Sequence, residues 1–427
     1  MNTSTALIAH EPHSVPLQGP NFSWLAGELG TPLYVYERDV ILAQLACLER
    51  IFPKVTILYS AKCNPFEPVC RLLTGRGCGL DAASPGEVRL GRACGLSPEH
   101  ILYSAPGKSE EDLQQTLGLC TLIADSASEL HRLNALASAA GRILTVGLRI
   151  SASLACGPGT RPQMVQAGPD KFGVDEEALP ELAKELANLT SLRLAGLHVH
   201  VRSQVLSAEA LTAIFRHVAR MARFWVQELH LPLDFLNLGG GLGIPTVCGA
   251  GLDLDELAAG AGSLVADLGQ SRTAGTGHTN SSLRLFMESG RFLVGQAGSF
   301  VTRITDVKTS RGTTFACAPG LMNHYLRVCL ARLMDDLPLP DSFAGPLEPL
   351  WSGPGQALPQ VLGDPAPMRR VTLCGTLCTA QDTAFRDVLL PNVLPGNLLV
   401  FPNAGAYAAA LSPHGFAGHK AHREVLV

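Results

Sequence analysis

The sequence predicts an α/β protein in which a parallel (β/α)8 TIM barrel is followed by a mainly antiparallel C-terminal β domain. A unit of short apolar strand, turn and amphipathic helix recurs eight times before about residue 290. The strands are apolar almost throughout, which is typical of a parallel sheet covered on both faces. After about residue 295, β segments separated by Gly/Pro-rich turns replace the helical pattern. We therefore place the barrel at residues 31–290 and the second domain at residues 291–427.

Each predicted barrel strand is a short apolar run that ends at a turn signal. The eight strands are VTILYSA (55–61), CGLDAAS (78–84), HILYSAP (100–106), TLIADS (121–126), LTVGLRI (144–150), LAGLHVHV (194–201), DFLNLGG (234–240) and LRLFMESG (283–290). Helices are expected between them, including 85–95, 126–141 and 207–229, and a Ser is placed to cap each of the last two. An open doubly wound sheet is the alternative, but no GxGxxG stands at the first strand-helix turn.

The second domain is predicted from β segments that alternate with turns. These segments are VTRITDV (301–307), TTFACAP (313–319), RRVTLCGTLC (369–378) and GNLLVFPNAGAY (396–407). A long loop of low order is expected between residues 335 and 367. Residues 1–30 carry no clear pattern, so they could pack with either domain, including the second.

Composition restricts the function classes. The 427 residues are 46% hydrophobic and 16% charged, which is typical of a globular protein. A net charge of -4 without a long basic run gives no sign of a nucleic-acid or anionic-membrane partner. Neither a secretory signal nor an apolar run of ~20 residues is seen. The twelve cysteines are scattered without a CxxC pair, so we expect reduced thiols, a cytoplasmic location and small-molecule chemistry.

Polar residues stand at or near the carboxyl ends of most predicted barrel strands, where the active site of such a barrel forms. In chain order they are Lys62, Asp81, Arg149, His198, His200, the GGGLG run at 239–243 and Glu288. We expect them to form one ring. An amine, a carboxylate, imidazoles and a glycine loop suit an organic phosphate cofactor, because the amine can bond covalently, the acid can hold a ring nitrogen and backbone N–H groups can bind phosphate.

Each of these residues also has a simpler interpretation. Lys62 alone could be a lysine at a strand end that extends its amine to solvent. Asp81 could equally hold a nearby helix, and a lone glycine run is a weak signal. The HVH pair could bind zinc, but further ligands are not evident at other strand ends, so we predict no metal site.

Nine stretches occur in a fixed order: YSAKCNP, GLDAASPGE, ILYSAPGKS, KFGV, GLHVHVRSQ, LNLGGGLG, ESGRFLV, GTLCTAQD and NAGAY. In this order they resemble the signature motifs of the fold-type III pyridoxal-phosphate decarboxylases, which share the alanine-racemase type of barrel and include diaminopimelate and eukaryotic-type ornithine decarboxylases. The resemblance covers nearly the whole chain, from residue 31 to the C-terminus. It implies a decarboxylase that uses pyridoxal 5'-phosphate.

The resemblance also implies roles for matched residues. Lys62 would bond covalently to the cofactor, and we expect desolvation to depress its pKa. Glu288 would face the pyridine nitrogen and His200 would stack on the ring. The phosphate set would be Ser203, Gly239, Gly240, Gly241, Gly290, Arg291 and Tyr407. Asp81 and Arg149 complete the cofactor-binding set.

A homodimer with shared active sites is implied as well. Cys378 matches a thiol that the family supplies from the partner subunit to return a proton to the substrate carbon. A thiol with an ordinary pKa near 8.5 is a credible donor at neutral pH. Lys171 and Asp382 match positions that pair across the interface.

Two departures from the family pattern bear on the substrate. Thr379 stands where relatives carry a Glu or Asp that recognises a distal ammonium, and Arg202 stands where many have Gly. An unpaired buried ammonium would cost ~3–5 kcal/mol. With Asp382, these residues form the tentative substrate set. We favour an amino acid or conjugate with a neutral or acidic extension, either carrier-protein-linked or a siderophore intermediate. The alternatives are diaminopimelate decarboxylase, an alanine-racemase-like racemase and a non-catalytic pyridoxal-phosphate carrier, although Glu288, Cys378 and the β domain weigh against the last two.

Overall fold

The computed structural model describes residues 19–152, 171–245, 251–262, 283–335, 357–363 and 367–427, together with residues 264, 265 and 268. Its strands are β1 (Leu33–Tyr36), β2 (Val55–Ser60), β3 (Gly79–Ala82), β4 (Ile101–Tyr103), β5 (Thr121–Ala124), β6 (Leu144–Ser151), β7 (Val174–Asp175), β8 (Leu192–Val199), β9 (Phe235–Asn237), β10 (Arg284–Ser289), β11 (Gly298–Arg303), β12 (Asp306–Ser310), β13 (Thr313–Cys317), β14 (Gln360–Leu362), β15 (Met368–Cys374), β16 (Thr383–Pro391), β17 (Leu398–Phe401) and β18 (Arg423–Leu426).

The α-helices lie mainly between the barrel strands. They are α1 (Phe22–Leu29), α2 (Arg38–Ile51), α3 (Glu67–Thr74), α4 (Pro85–Ala93), α5 (Glu110–Thr116), α6 (Ala127–Ala139), α7 (Leu179–Leu186), α8 (Ala208–Gln227), α9 (Leu254–Leu257), α10 (Arg291–Val294), α11 (Leu321–His324) and α12 (Leu326–Asp335). The two predicted serine caps are confirmed, since Ser126 and Ser207 each accept a backbone N–H at 3.1 Å. No helix of the described residues is long and apolar enough to cross a membrane.

The predicted barrel is confirmed. The strand order β5-β4-β3-β2-β10-β9-β8-β6 is parallel throughout, and a pairing between β5 and β6 closes the ring. Its interior is packed with apolar side chains, among them Leu58, Ile123 and Phe235. Gly196 makes room for this core, because a Cβ there would lie 1.9 Å from the Phe235 ring.

The second domain contains two mainly antiparallel sheets, with strand orders β14-β17-β11-β1-β18 and β12-β13-β15-β16. Strand β1 pairs with β11 and β18, so the predicted barrel boundary at residue 31 moves beyond β1. Helix α1 packs on the same sheet through Leu25 and Ala26. An apolar tetrapeptide such as LYVY looks the same in either domain, and only its pairing shows where it belongs.

The elements of the second domain that were not predicted include α11, α12, β14, β16 and β18. Most of the predicted loop at residues 335–367 lies outside the described residues, although β14 falls within it. Helix α11 bears on the site because its Met322 backbone N–H donates to Asp382, in the same segment as Cys378.

Candidate active site

Lys62 lies in a tight turn, Ala61–Cys63, that follows β2 directly. Its Nζ is 3.0 Å from Asp81 Oδ2, and Asp81 is only 1% exposed on the neighbouring strand β3. The Ser104 hydroxyl donates to the other carboxylate oxygen at 3.0 Å. Asp81 therefore orients the lysine, and no α-helix of the described residues donates a hydrogen bond to its carboxylate.

The predicted depression of the Lys62 pKa is wrong. Burial does act to lower the pKa, but the negative charges of Asp81 and Glu288 outweigh it and raise the pKa well above its ordinary value. The side chain is 40% exposed and open to the adjacent cavity. Lys62 is therefore an ammonium before it reacts, and it has to lose a proton to act as a nucleophile.

Glu288 lies near the end of β10 and is 3% exposed. Asn237 Nδ2 donates to its Oε1 at 2.9 Å, and His198 Nε2 lies 2.8 Å from the same oxygen. His200 Nδ1 lies 3.2 Å from Oε2. Burial would raise the pKa of Glu288, but the two imidazoles hold it well below the ordinary range. The carboxylate is therefore ionised inside the barrel mouth.

The glycine loop after β9 runs beside these groups. The Gly239 amide donates to Asn237 Oδ1 at 2.9 Å, and the Gly240 nitrogen lies 3.3 Å from His200 Nδ1. A Cβ at Gly240 would lie 2.4 Å from the Glu288 carbonyl oxygen. At Gly241, φ is +104° and a Cβ would lie 2.0 Å from the Arg202 carbonyl oxygen, so both space and conformation require glycine.

These groups surround an open cavity of about 400 Å³. Its walls are formed by Ser60, Lys62, His200, Ser203, Gln204, Gly240, Gly241, Leu242, Glu288, Ser289, Gly290, Arg291 and Tyr407. Most of the predicted cofactor-binding residues are thus brought together at one place. Arg291 stacks on Tyr407, with its Cζ 4.8 Å from the ring centre. Burial raises the Tyr407 pKa to about 12, so its phenol is neutral.

The cavity fits pyridoxal 5'-phosphate. The amine suits an aldehyde, the ionised acid suits a protonated ring nitrogen, and the glycine loop with Ser203 and Arg291 suits a phosphate. Ser289 also lines the cavity, and its buried hydroxyl has no hydrogen-bond partner among the described residues. A buried hydroxyl without a protein partner is expected where a polar ligand binds, because the ligand can supply the missing hydrogen bond.

Asp81 and Gly239 do not line the cavity, and neither do Arg149 and Arg202. Arg149 is 8% exposed, with its guanidinium 4.1 Å from the Phe172 ring and near Asp125. Arg202 contributes its backbone behind Gly241, as described above. Their roles toward cofactor and substrate stay predictions.

The loop between β15 and β16 carries the remaining predicted residues. Cys378 is exposed and Thr379 is half-buried, and neither lines the cavity of its own chain. Asp382 is 2% exposed and accepts backbone N–H groups from Met322 at 2.9 Å and Leu377 at 2.8 Å. Its carboxylate therefore holds the loop of its own chain, which leaves little scope for contact with substrate. The predicted pairing of Lys171 with Asp382 across an interface stays a prediction.

Asn237 is a functional residue that the sequence reasoning missed. It links the glycine loop to Glu288, and it stands two positions before Gly239. Asn before a glycine run is also a common turn signal, which hides this role. Ser289 and Gln204 were missed for a similar reason, since neither residue type has a strong chemical signature.

Comparison with known proteins agrees with this geometry. Residues 38–295 match the family model described as pyridoxal-dependent decarboxylase, pyridoxal binding domain. The chain belongs to this family. A diaminopimelate decarboxylase of Methanothermobacter thermautotrophicus is 30% identical over 91% of this chain and 85% of its own length. An L-glutamyl-[BtrI acyl-carrier protein] decarboxylase of Niallia circulans is 28% identical, with 93% and 88% covered.

A third relative and a solved structure are also similar to this chain. The 2-[(L-alanin-3-ylcarbamoyl)methyl]-2-hydroxybutanedioate decarboxylase of Staphylococcus aureus is 25% identical over 84% of this chain and 85% of its own length. The crystal structure of diaminopimelate decarboxylase from Helicobacter pylori with L-lysine has a TM-score of 0.79 at 24% identity, with 95% and 94% of the chains covered. The enzyme is thus a pyridoxal-phosphate-dependent carboxy-lyase.

Proposed function

We propose that this decarboxylase acts on an amino-acid moiety with a neutral or acidic extension, such as a carrier-protein-linked aminoacyl group or a siderophore intermediate. The charge of the cavity carries this proposal. Among the described residues that line it, Glu288 is the only carboxylate, and Asn237 and the two imidazoles already engage it. Lys62 and Arg291 are cationic. A second ammonium on the substrate would find no unengaged acid among these residues, so a neutral or acidic extension is favoured.

The loop that carries Cys378 supports the same choice. Thr379 presents a neutral hydroxyl where a Glu or Asp would pair with a distal ammonium. Two relatives act, by their names, on a carrier-linked glutamyl group and on a citrate-like alaninyl conjugate. Diaminopimelate decarboxylation is the second candidate, because the 30% identical relative carries that name.

In the proposed mechanism, this chain binds, orients and moves protons. Bound pyridoxal phosphate supplies an aldehyde that bonds to amines and a heterocycle that accepts the electrons of the breaking carbon–carboxylate bond. Lys62 would be the residue that holds the cofactor through its aldehyde before the substrate binds. Glu288 keeps a proton on the ring nitrogen, and Cys378 delivers a proton to the substrate α-carbon after CO2 leaves.

We also propose that the functional unit is a homodimer. A thiol that reaches the substrate should lie near the cavity, yet Cys378 is exposed and outside the cavity of its own chain. A partner's loop would bring it there. Cys378 has to stay reduced for this role, which is why we also propose a cytoplasmic location.

Mixing inactive variants tests the shared site. Lys62→Ala and Cys378→Ala are each expected to be nearly inactive. After subunit exchange, half of the dimers are hybrids with one intact site, so activity should recover to about a quarter of wild type. Mixing Lys62→Ala with Glu288→Gln is the control, because both changes fall in the same cavity of one chain. No recovery in the first mixture, with exchange demonstrated by mass, would overturn the shared site.

Substrate screening tests the proposed class. The purified holoenzyme is incubated with free diaminopimelate, ornithine, glutamate, glutamyl-carrier protein and citryl conjugates, and CO2 release is measured. We expect the conjugates to be the faster substrates. Thr379→Glu should raise kcat/KM for diaminopimelate relative to the conjugates, with Thr376→Glu as a control from the same segment. Fastest turnover of diaminopimelate by the wild type would favour the second candidate.

A further inference from the structure

Three histidines of the second domain lie together and line no part of the cavity. His324 ends α11, while His414 and His422 lie 90 and 98 positions further along the chain. The Nδ1 atom of His324 is 3.2 Å from Nδ1 of His422 and 3.5 Å from Nδ1 of His414. One ring nitrogen from each residue lies within 4.8 Å of the others.

Hydrogen bonding among the rings does not account for this cluster. A neutral imidazole nitrogen carries either one proton or one lone pair. Nδ1 of His324 can therefore pair with His414 or with His422, but not fully with both. A single cation between the rings would use the lone pairs of all three nitrogens.

The distances between the ring nitrogens match the distance between two neighbouring ligand atoms around one metal ion. Zinc–nitrogen bonds of about 2.0–2.1 Å in a tetrahedron place neighbouring nitrogens about 3.4 Å apart. The two Nδ1 separations, 3.2 and 3.5 Å, bracket that value. One nitrogen of each ring lies within 4.8 Å of the others, so the three rings can converge on one ion with small movements.

Each ring also has a polar partner that can orient it. The backbone of Lys420 hydrogen-bonds His324, and the backbone of Ala409 hydrogen-bonds His414. Nε2 of His422 lies 3.6 Å from Glu424 Oε1, and the Tyr36 hydroxyl donates to Glu424 Oε2 at 2.7 Å. Carbonyls and carboxylates in these positions are the usual second layer around histidine ligands.

We propose that His324, His414 and His422 bind one divalent transition-metal ion of the zinc class, with water in the fourth position. The ion would tie α11 to the C-terminal segment, which also pairs with β1 through β18. Because α11 also bonds the loop of Cys378 through Asp382, the ion would stabilise that loop from behind. This proposal does not depend on the substrate proposed above.

The test is metal binding by the untagged holoenzyme, prepared metal-free and then dialysed against zinc. Bound zinc is measured by plasma mass spectrometry, and cobalt substitution reports the ligand geometry through its visible absorption. We expect one ion per chain and the intense bands of a four-coordinate cobalt site. His414→Ala and His422→Ala should each lose the ion, and Glu424→Gln should weaken binding about 10–100-fold.

His131→Ala is the matched control, because His131 is an exposed histidine paired with Glu185, far from this cluster in sequence. It should bind zinc as the wild type does. His324 is almost fully buried, so the two more accessible ligands carry the test in case His324→Ala fails to fold. If the wild type binds no more zinc or cobalt than the folded His414→Ala/His422→Ala double variant, the proposal is overturned.

Discussion

Glu288 and Asp382 are two buried carboxylates in different regions, one at the barrel mouth and one behind the Cys378 loop. They are 3% and 2% exposed. Glu288 lies among imidazoles, which hold its pKa well below the ordinary range against the effect of burial. Asp382 accepts backbone amides, which do not fully offset burial, so its pKa is raised.

The difference shows that burial alone does not decide the charge of an acid. Groups that can carry positive charge keep Glu288 ionised where a protonated heterocycle has to be held. Neutral amides give Asp382 hydrogen bonds with a fixed geometry, so it serves to shape the loop. We therefore expect substitutions at the barrel mouth to affect activity and those at the loop to affect stability.

Lys62→Ala should have the largest effect, because it removes the cation beside Asp81 and the anchor of the cofactor. Activity should fall by more than the ~10²–10⁴-fold typical of losing a proton-transfer group. Borohydride reduction followed by peptide mapping should find no pyridoxyl label at position 62. Lys184→Ala removes an exposed lysine paired with Glu181 and should keep both label and activity. A labelled, active Lys62→Ala enzyme would contradict the proposed site.

Glu288→Gln should have the next largest effect. The amide keeps the shape of the side chain but loses the charge that holds a proton on the heterocycle. We expect kcat to fall about 10²–10³-fold, the usual cost of losing one aligned electrostatic group. Covalent labelling of Lys62 should persist. Glu185→Gln, at an exposed acid paired with His131, is the control. An unchanged kcat in Glu288→Gln would contradict the expectation that the charge of Glu288 serves the reaction.

Asp382→Asn should act mainly on stability. One of the two amide contacts, from Met322 or Leu377, would then face an NH2 group and lose its acceptor. The free energy of unfolding should fall by about 1–3 kcal/mol, measured by denaturant titration of the holoenzyme. Asp387→Asn, at an exposed acid paired with Arg370, should change it little. If Asp382→Asn instead lost activity while its free energy of unfolding stayed at the wild-type value, Asp382 would have a direct role in the reaction.

The barrel and most of its cavity could be predicted from the sequence, for a physical reason. Apolar strands separated by turns have one favourable closed arrangement, and their carboxyl ends then meet. Lys62 and Glu288 could be placed together on that basis. The raised pKa of Lys62 could not, because it depends on the 3.0 Å contact with Asp81.

The second domain was harder to predict because its contacts join distant parts of the chain. Strand β1 pairs with β11 and β18, which lie more than 260 and nearly 400 positions away. His324 meets His414 and His422 across 90 and 98 positions. No local period or spacing signals such contacts. Asp382 looked like an interface residue by resemblance, and only the backbone of α11 shows what it binds.

The pH dependence of stability gives the finest test, because the two acids should act with opposite sign. Glu288 has a folded pKa below its ordinary 4.5, so the stability it contributes is present above that pH and is lost as pH falls. Asp382 has a folded pKa above its ordinary 3.8, so its contribution weakens as pH rises through the raised value. Unfolding free energies of wild type, Glu288→Gln and Asp382→Asn are measured between pH 3 and 7. For each variant, the free energy of unfolding of the variant is subtracted from that of the wild type and plotted against pH. The two plots should slope in opposite directions. Equal slopes would mean that the surroundings shift the pKa values of both acids in the same direction.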